Sequence, residues 1–268
     1  MLNPRIIPCL LIHNKGLVKT LKFKEPKYVG DPINAVKIFN EKEVDELIVV
    51  DIDATREGRE PNYGLIENLA SECRMPLCYG GGIKTVEQAQ RIFGLGVEKI
   101  SVSSIAVKKP DIITELTSRV GNQSVVVVLD VKKKLLSNNY ELFTHNGSKG
   151  TGIDPVKFAV QMERAGVGEL VINSIDRDGM MNGYDHTIID RIREVTDIPM
   201  TVMGGAGSIE DIGDILSKHG IIGAAAGSFF VFKGKFRAVL INYPTPIEKE
   251  TLIKDFFLPK WGHSNQVS

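Results

Sequence analysis

The stretch Ser124-Val125-Val126-Val127-Val128-Leu129-Asp130-Val131 sets the reading of the whole chain. Four valines and a leucine in succession describe a strand with apolar neighbours on both faces, as in a parallel sheet covered on each side. A single carboxylate, Asp130, stands where that strand should end. In barrels of parallel strands the catalytic groups sit at the C-terminal strand ends. An aspartate at that place can equally cap the turn that follows, so the rest of the sequence has to decide.

Upstream of this stretch, short apolar runs alternate with helical ones. Arg5-Ile-Ile-Pro-Cys-Leu-Leu11 reads as a strand, and Asp31-Pro32 starts a helix with Asp as N-cap and Pro in the first turn. Glu46-Leu-Ile-Val-Val-Asp51, Pro76-Leu-Cys-Tyr79 and Lys99-Ile-Ser-Val102 read as further strands, and Thr85 with Gln88 forms a capping box before the helix between the last two. Strands separated by helices of ten or more residues imply βαβ units and a parallel sheet.

The second half repeats the first. Asp31-Pro32 recurs as Asp154-Pro155, Glu46 as Glu169, Asp53 as Asp176, Pro76 as Pro199, Gly81-Gly82 as Gly204-Gly205 and Glu87 as Glu210. Each difference is 123 (for example 154 − 31 and 204 − 81). Four βα units taken twice predict a (β/α)8 TIM barrel, one domain over 1–268, with half-barrels at about 1–122 and 123–245 and a C-terminal helix and tail over 246–268. Lys132 to Gly152 is read as an insert that departs from the repeat, with a hairpin strand at Tyr140–Thr144.

The size fits one barrel: 268 residues, 43% hydrophobic and 25% charged. Lys plus Arg equals Asp plus Glu, so no overall basic field points to nucleic acid or an anionic membrane. No apolar run approaches the roughly 20 residues of a membrane span, and the N-terminal residues lack a signal-peptide layout. Three cysteines without a C-x-x-C pair suggest a reduced, cytoplasmic protein. The histidines are too scattered for a metal site, and no cofactor motif is present.

Two glycine clusters follow strands and precede helices. Gly80-Gly81-Gly82 lies with Ser103 and Ser104, and Gly204-Gly205-Ala206-Gly207 lies with Gly227 and Ser228. Alone, each reads as a tight turn; as two copies at matched places they predict two phosphate grips for a ligand phosphorylated at both ends. Asp51 and Asp176 at strand ends and Lys19 in the first loop are candidate substrate-binding residues, the alternatives being turn caps and a solvated lysine. At the opposite end, Arg5, Glu46, Lys99 and Glu169 stand at strand starts, where charges of both signs predict a ring of salt bridges. That ring is either a simple cap on the core or a gate to the barrel axis.

Taken together, Arg5-Ile-Ile-Pro-Cys-Leu, Gly80-Gly-Gly-Ile, Asp130, Asp176-Arg-Asp-Gly and Gly204-Gly-Ala-Gly resemble the cyclase subunit of imidazole glycerol phosphate synthase, from about Asn3 to about Phe232. The resemblance implies a lyase-type subunit that takes ammonia from a glutaminase docked on the N-terminal face. It implies Arg5, Glu46, Lys99 and Glu169 as the ammonia gate, Glu98 and Gln123 as glutaminase contacts, and Asp130 as one of two catalytic aspartates. The other aspartate is absent: its position is Leu11. Cys78-Tyr79, Ser103 and Met203 also depart from the family pattern. Because a leucine cannot carry protons, the ancestral cyclase step should be impaired. The chain is similar in this, and in the tail Phe232-Lys-Gly-Lys-Phe-Arg-Ala-Val-Leu-Ile-Asn-Tyr-Pro244, to a branch associated with acetamidino modification of surface-polysaccharide sugars such as O-antigen. That likeness implies an ATP-dependent amidotransferase as a further partner. The alternatives are histidine biosynthesis itself and a non-catalytic scaffold that activates a glutaminase.

Overall fold

A computed structural model describes residues 3–135 and 137–262; residues 263–268, the end of the expected tail, lie outside them. β1 (Arg5–His13) runs into a hairpin formed by β2 (Gly16–Leu21) and β3 (Lys24–Gly30). β4 (Leu47–Asp51), β5 (Leu77–Gly80) and β6 (Lys99–Val102) follow. β7 (Val125–Lys133) in turn runs into β8 (Tyr140–Thr144) and β9 (Lys149–Gly150). β10 (Glu169–Ser174), β11 (Met200–Met203) and β12 (Gly223–Ala226) complete the series. The strands β1, β4, β5, β6, β7, β10, β11 and β12 pair in parallel in that order, and β12 returns to β1. The sheet is closed, as the eightfold reading requires, with the helices outside it.

The segment read as an insert, 132–152, has a counterpart. Each half of the chain sends its first strand into an antiparallel hairpin, 16–30 in one and 140–150 in the other. The repeat is therefore more complete than the residue-matched anchors indicate. Both hairpins bury apolar residues, Leu17 and Val18 in one and Tyr140 and Leu142 in the other, but of different types, so residue identity does not reveal the correspondence.

Helix starts follow the repeat as well. α1 (Pro32–Glu41) is capped by Asp31, and the equivalent helix Pro155–Arg164 by Asp154, each with Pro in the first turn. Thr85 and Ser208 both form capping boxes on the helices Val86–Phe93 and Ile209–His219. The glycine clusters repeat a contact. Gly81 (φ +115°) lies against the backbone of Asp51, and Gly204 (φ +87°) against the backbone of Ser174. A Cβ at either place would strike that backbone, and the positive φ disfavours any side chain.

Strand alternation sorts the core into two layers. Ile6, Leu10, Ile12, Val125, Val127 and Leu129 face the helices. Ile7, Cys9, Ile48, Cys78, Val126, Val171 and Ala225 fill the barrel interior. The valine run is thus buried on both faces, as the sequence indicates. Tyr79 belongs to the outer layer and does not enter the barrel. The same period places Arg5 below Ile7, and Asp130 above Val126 and Val128, at opposite ends of the interior.

Gly81→Ala and Gly204→Ala should each lower stability by more than about 1 kcal/mol, by similar amounts, in urea denaturation. A loss confined to one of them would contradict the equivalence of the two contacts.

Candidate active site

The N-terminal end of the barrel is closed by charges that satisfy one another. Arg5 pairs with Glu46 and, at 2.7 Å, with Glu169. Lys99 Nζ stands 3.0 Å from Glu46 and 2.9 Å from Glu169. Cation and anion alternate round a complete ring, and Thr201 Oγ1 donates to Glu169 at 2.5 Å. Both carboxylates are buried. Burial alone would raise the Glu169 pKa, but Arg5 and Lys99 lower it below the ordinary carboxylate value. Burial likewise works against the charges on Arg5 and Lys99, and the two glutamates overcome it and raise both pKa values. Arg5, Lys99 and Glu169 are therefore held in their charged forms. Glu98 and Gln123 are exposed at this same end; the Glu98 carboxylate accepts from Leu77 N at 2.8 Å, and Gln123 lies in a short turn before β7.

At the other end a cavity opens between the hairpins. It encloses about 90 Å³, several times the roughly 10–15 Å³ one water needs by the same measure. Its walls include Cys9, Leu11, Lys19, Asp130 and Asp178, and the backbone of Gly204, Gly205 and Gly227 with Ser228. The second glycine cluster and Asp130 thus share one cavity. Asn173 Nδ2 donates to Asp130 Oδ1 at 2.9 Å and Ser103 Oγ to Oδ2 at 3.1 Å. Burial pushes the Asp130 carboxyl up to about 6; the Asn173 and Ser103 bonds oppose the shift and the Asp178 charge adds to it.

Lys19 is not solvated. It is buried, its ammonium donates to the Cys9 carbonyl, and a Cβ on Gly227 would collide with Nζ. Burial lowers its pKa, partly offset by Cys9 and Asp178. Burial also raises the Cys9 thiol to about 11, so Cys9 remains a neutral thiol there.

The first glycine cluster lies elsewhere. Gly82, Ser103 and Ser104 border a separate cleft together with Lys84, Lys108 and His145, a set of donors and cations suited to an anion. Gly81 itself is taken up by the packing against Asp51. Asp51 and Asp176 do not reach the central cavity. Asp51 Oδ1 accepts from Asp53 N and Ala54 N, each at 3.0 Å, which caps the turn after β4. Asp176 accepts from Lys133 N at 2.9 Å, which fixes the start of the second hairpin. Asp178, two residues on, is the member of Asp176-Arg-Asp-Gly that lines the cavity. Sequence could not separate the two, because the strand period ends at Ser174 and a turn sets their directions. Asn173 was also missed; it has the same parity as Glu169 and Val171, which face the interior. Among the described residues no cluster of His, Cys, Asp and Glu is arranged to hold a metal ion.

A family model described as a histidine biosynthesis protein matches residues 5–237. The chain belongs to the histidine biosynthesis protein family. A Vibrio vulnificus protein, provisionally named an imidazole glycerol phosphate synthase subunit, is 58% identical over 95% of this chain and 98% of its own length. A similarly named Pseudomonas aeruginosa protein is 52% identical over 91% and 97%. The imidazole glycerol phosphate synthase subunit of Natranaerobius thermophilus is 39% identical over 91% and 96%. The resemblance carried by the sequence motifs is borne out at the level of the family. None of these names refers to a surface polysaccharide. Among the described residues, no helix is long and apolar enough to cross a membrane.

The Asp130 pKa carries a sign. A folded-state value of about 6 against an ordinary 3.8 means the folded chain favours the protonated form. Stability present below pH 4 is lost as pH rises through 6. Asp130→Asn should therefore stabilise the protein by up to roughly 2–3 kcal/mol near neutral pH and by little near pH 4, in thermal melts at both pH values.

Proposed function

We propose that this chain is the ammonia-using subunit of a glutamine-dependent synthase of the imidazole glycerol phosphate type. In this reading a glutaminase docks over the end that bears Glu98, Gln123 and the charge ring. Ammonia enters past Arg5, Glu46, Lys99 and Glu169, crosses the barrel interior and reacts with a phosphorylated substrate in the cavity around Asp130. One observation carries the reading: a closed ring of charges and a cavity that holds Asp130, Asp178 and Lys19 stand at opposite ends of an interior filled by Ile7, Ile48, Val126, Val171 and Ala225. An apolar interior favours neutral ammonia over ammonium, because an unpaired charge is costly there. The two glycine-lined sites supply the grips for phosphate groups, one in the cavity beside Lys19 and one in the cleft beside Lys84 and Lys108. The relatives' names favour a histidine-pathway substrate.

Leu11 favours a second reading. It faces the cavity where the resemblance calls for a carboxylate, and acid–base help of that kind is worth roughly 100- to 10,000-fold. An acceptor that needs no carboxyl at position 11 would suit this cavity better. A sugar acetamido group amidinated with the help of an ATP-dependent amidotransferase is such an acceptor class.

Turnover of the imidazole glycerol phosphate synthase substrate with ammonium salts, compared between the native chain and Leu11→Asp, separates the two. On the first reading the native chain turns over measurably and Leu11→Asp adds rate. No native turnover together with a gain in Leu11→Asp would point to the second. Lys99→Met should leave ammonium-driven turnover within a few-fold of native but lower glutamine-driven turnover at least about tenfold. Equal losses with both nitrogen sources would contradict the gate.

A further inference from the structure

Ammonia addition to a carbonyl needs one group to take a proton and another to give one, and Asp130 is a single carboxyl. We propose that Asp178 is the second acid–base carboxyl of the cavity, working with Asp130 in place of the proton carrier that Leu11 cannot be. This rests on the reading that ammonia reacts in this cavity.

Three observations carry it. Asp130, Asp178 and Leu11 line the same cavity, although they come from β7, the loop after β10, and β1. The Asp178 carboxylate is held from one side only: Thr20 Oγ1 donates to Oδ2 at 2.6 Å and Phe23 N to the same oxygen at 3.2 Å. Among the described residues no hydrogen bond engages Oδ1 and no cation lies within ion-pair distance of Asp178. Thr20 and Phe23 belong to the hairpin that follows β1, so the loop nearest the cavity fixes the rotamer and leaves one oxygen for a ligand. Asp176, by contrast, is engaged by Lys133 N and lies outside the cavity.

The surroundings suit proton exchange. The titratable groups around Asp178 are Lys19 from β2, Cys9 from β1 and Asp130 from β7. Arg237 donates to the neighbouring Gly179 carbonyl and so points its charge at backbone. Lys19 places its own ammonium on the Cys9 carbonyl. Burial raises the Asp178 pKa, against the Thr20, Phe23 and Lys19 contributions, and its charge raises that of Asp130. Two carboxyls sharing one desolvated site resist ionising together. The pair then holds a proton at a pH where isolated aspartates hold none.

The step balances without a co-reactant. As the nitrogen lone pair forms the N–C bond, the C=O π pair moves to oxygen. The Asp178 carboxylate takes a proton from the attacking nitrogen, and the Asp130 carboxyl, the one burial holds protonated, gives its proton to the oxygen. The pair ends with its one proton moved from Asp130 to Asp178, and no electrons leave the site.

Two measurements on the full chain test this. In ¹³C NMR titrations of the aspartate carboxyls, Asp178→Asn should lower the Asp130 midpoint from about 6, whereas Thr20→Val, which keeps the carboxyl, should leave it raised. In ammonium-driven turnover, Asp178→Asn should lose about 100-fold or more and one limb of the pH–rate profile. Asp178→Glu should recover part of the rate, and Thr20→Val should keep both limbs at a reduced rate. Asp178→Asn turnover within threefold of native, with both limbs present, overturns the proposal. If the native chain shows no turnover, the functional reading falls by itself. The titration then decides alone: an unmoved Asp130 midpoint overturns the pair and a lowered one upholds it.

Discussion

Four charges enclosed at one end of a closed barrel have to satisfy one another. Arg5, Lys99 and Glu169 open β1, β6 and β10 and Glu46 directly precedes β4, so their ring is possible only when these four strands share one closed register. Breaking one partner out would leave a buried charge uncompensated, a change that typically costs about 3–5 kcal/mol. The ring therefore ties the chemistry of the end face to the closure of the sheet. It also sets the direction of the molecule, with the charged end at the strand starts and the cavity at the strand ends.

Strand alternation then determines what lies between. From the ring upward, the inward file of β1 reads Arg5, Ile7, Cys9, Leu11, and that of β7 reads Val126, Val128, Asp130. Arg5 stands at the lower end of the first file and Asp130 at the upper end of the second, with apolar groups between them. This arrangement needs no special device beyond a period of two. It also explains why Asp130 enters the cavity and does not merely cap its turn.

Much of this was legible in the sequence because it rests on local periodicity and on a repeat. The offset of 123 gave the barrel, the N-caps at Asp31 and Asp154, and the equivalence of Gly81 with Gly204. The charge ring followed from four residues at strand starts. What the sequence hid depends on turns. Asp51 and Asp176 stand at or just beyond strand ends, where the alternation stops, and the structure uses both to hold backbone. Asp178, from the same four-residue motif as Asp176, reaches the cavity instead. Lys19 was a candidate from the sequence, but its burial was not legible: a lysine is ordinarily solvated, and only the fold of the first hairpin shows that its ammonium rests on the Cys9 carbonyl.

Family membership and geometry agree on the barrel; the proposed function has it bring a nitrogen source and a phosphorylated substrate together, and Leu11 stands where the family resemblance implies the second aspartate. In the proposed function nitrogen travels through the barrel and not through solvent. The direct measurement supplies the chain and its glutaminase with ¹⁵N-amide glutamine in a buffer of unlabelled ammonium, and reads the isotope in the product by mass spectrometry. The account predicts a product labelled almost entirely with ¹⁵N even in excess bulk ammonium. Label diluted in proportion to the bulk ammonium would contradict it.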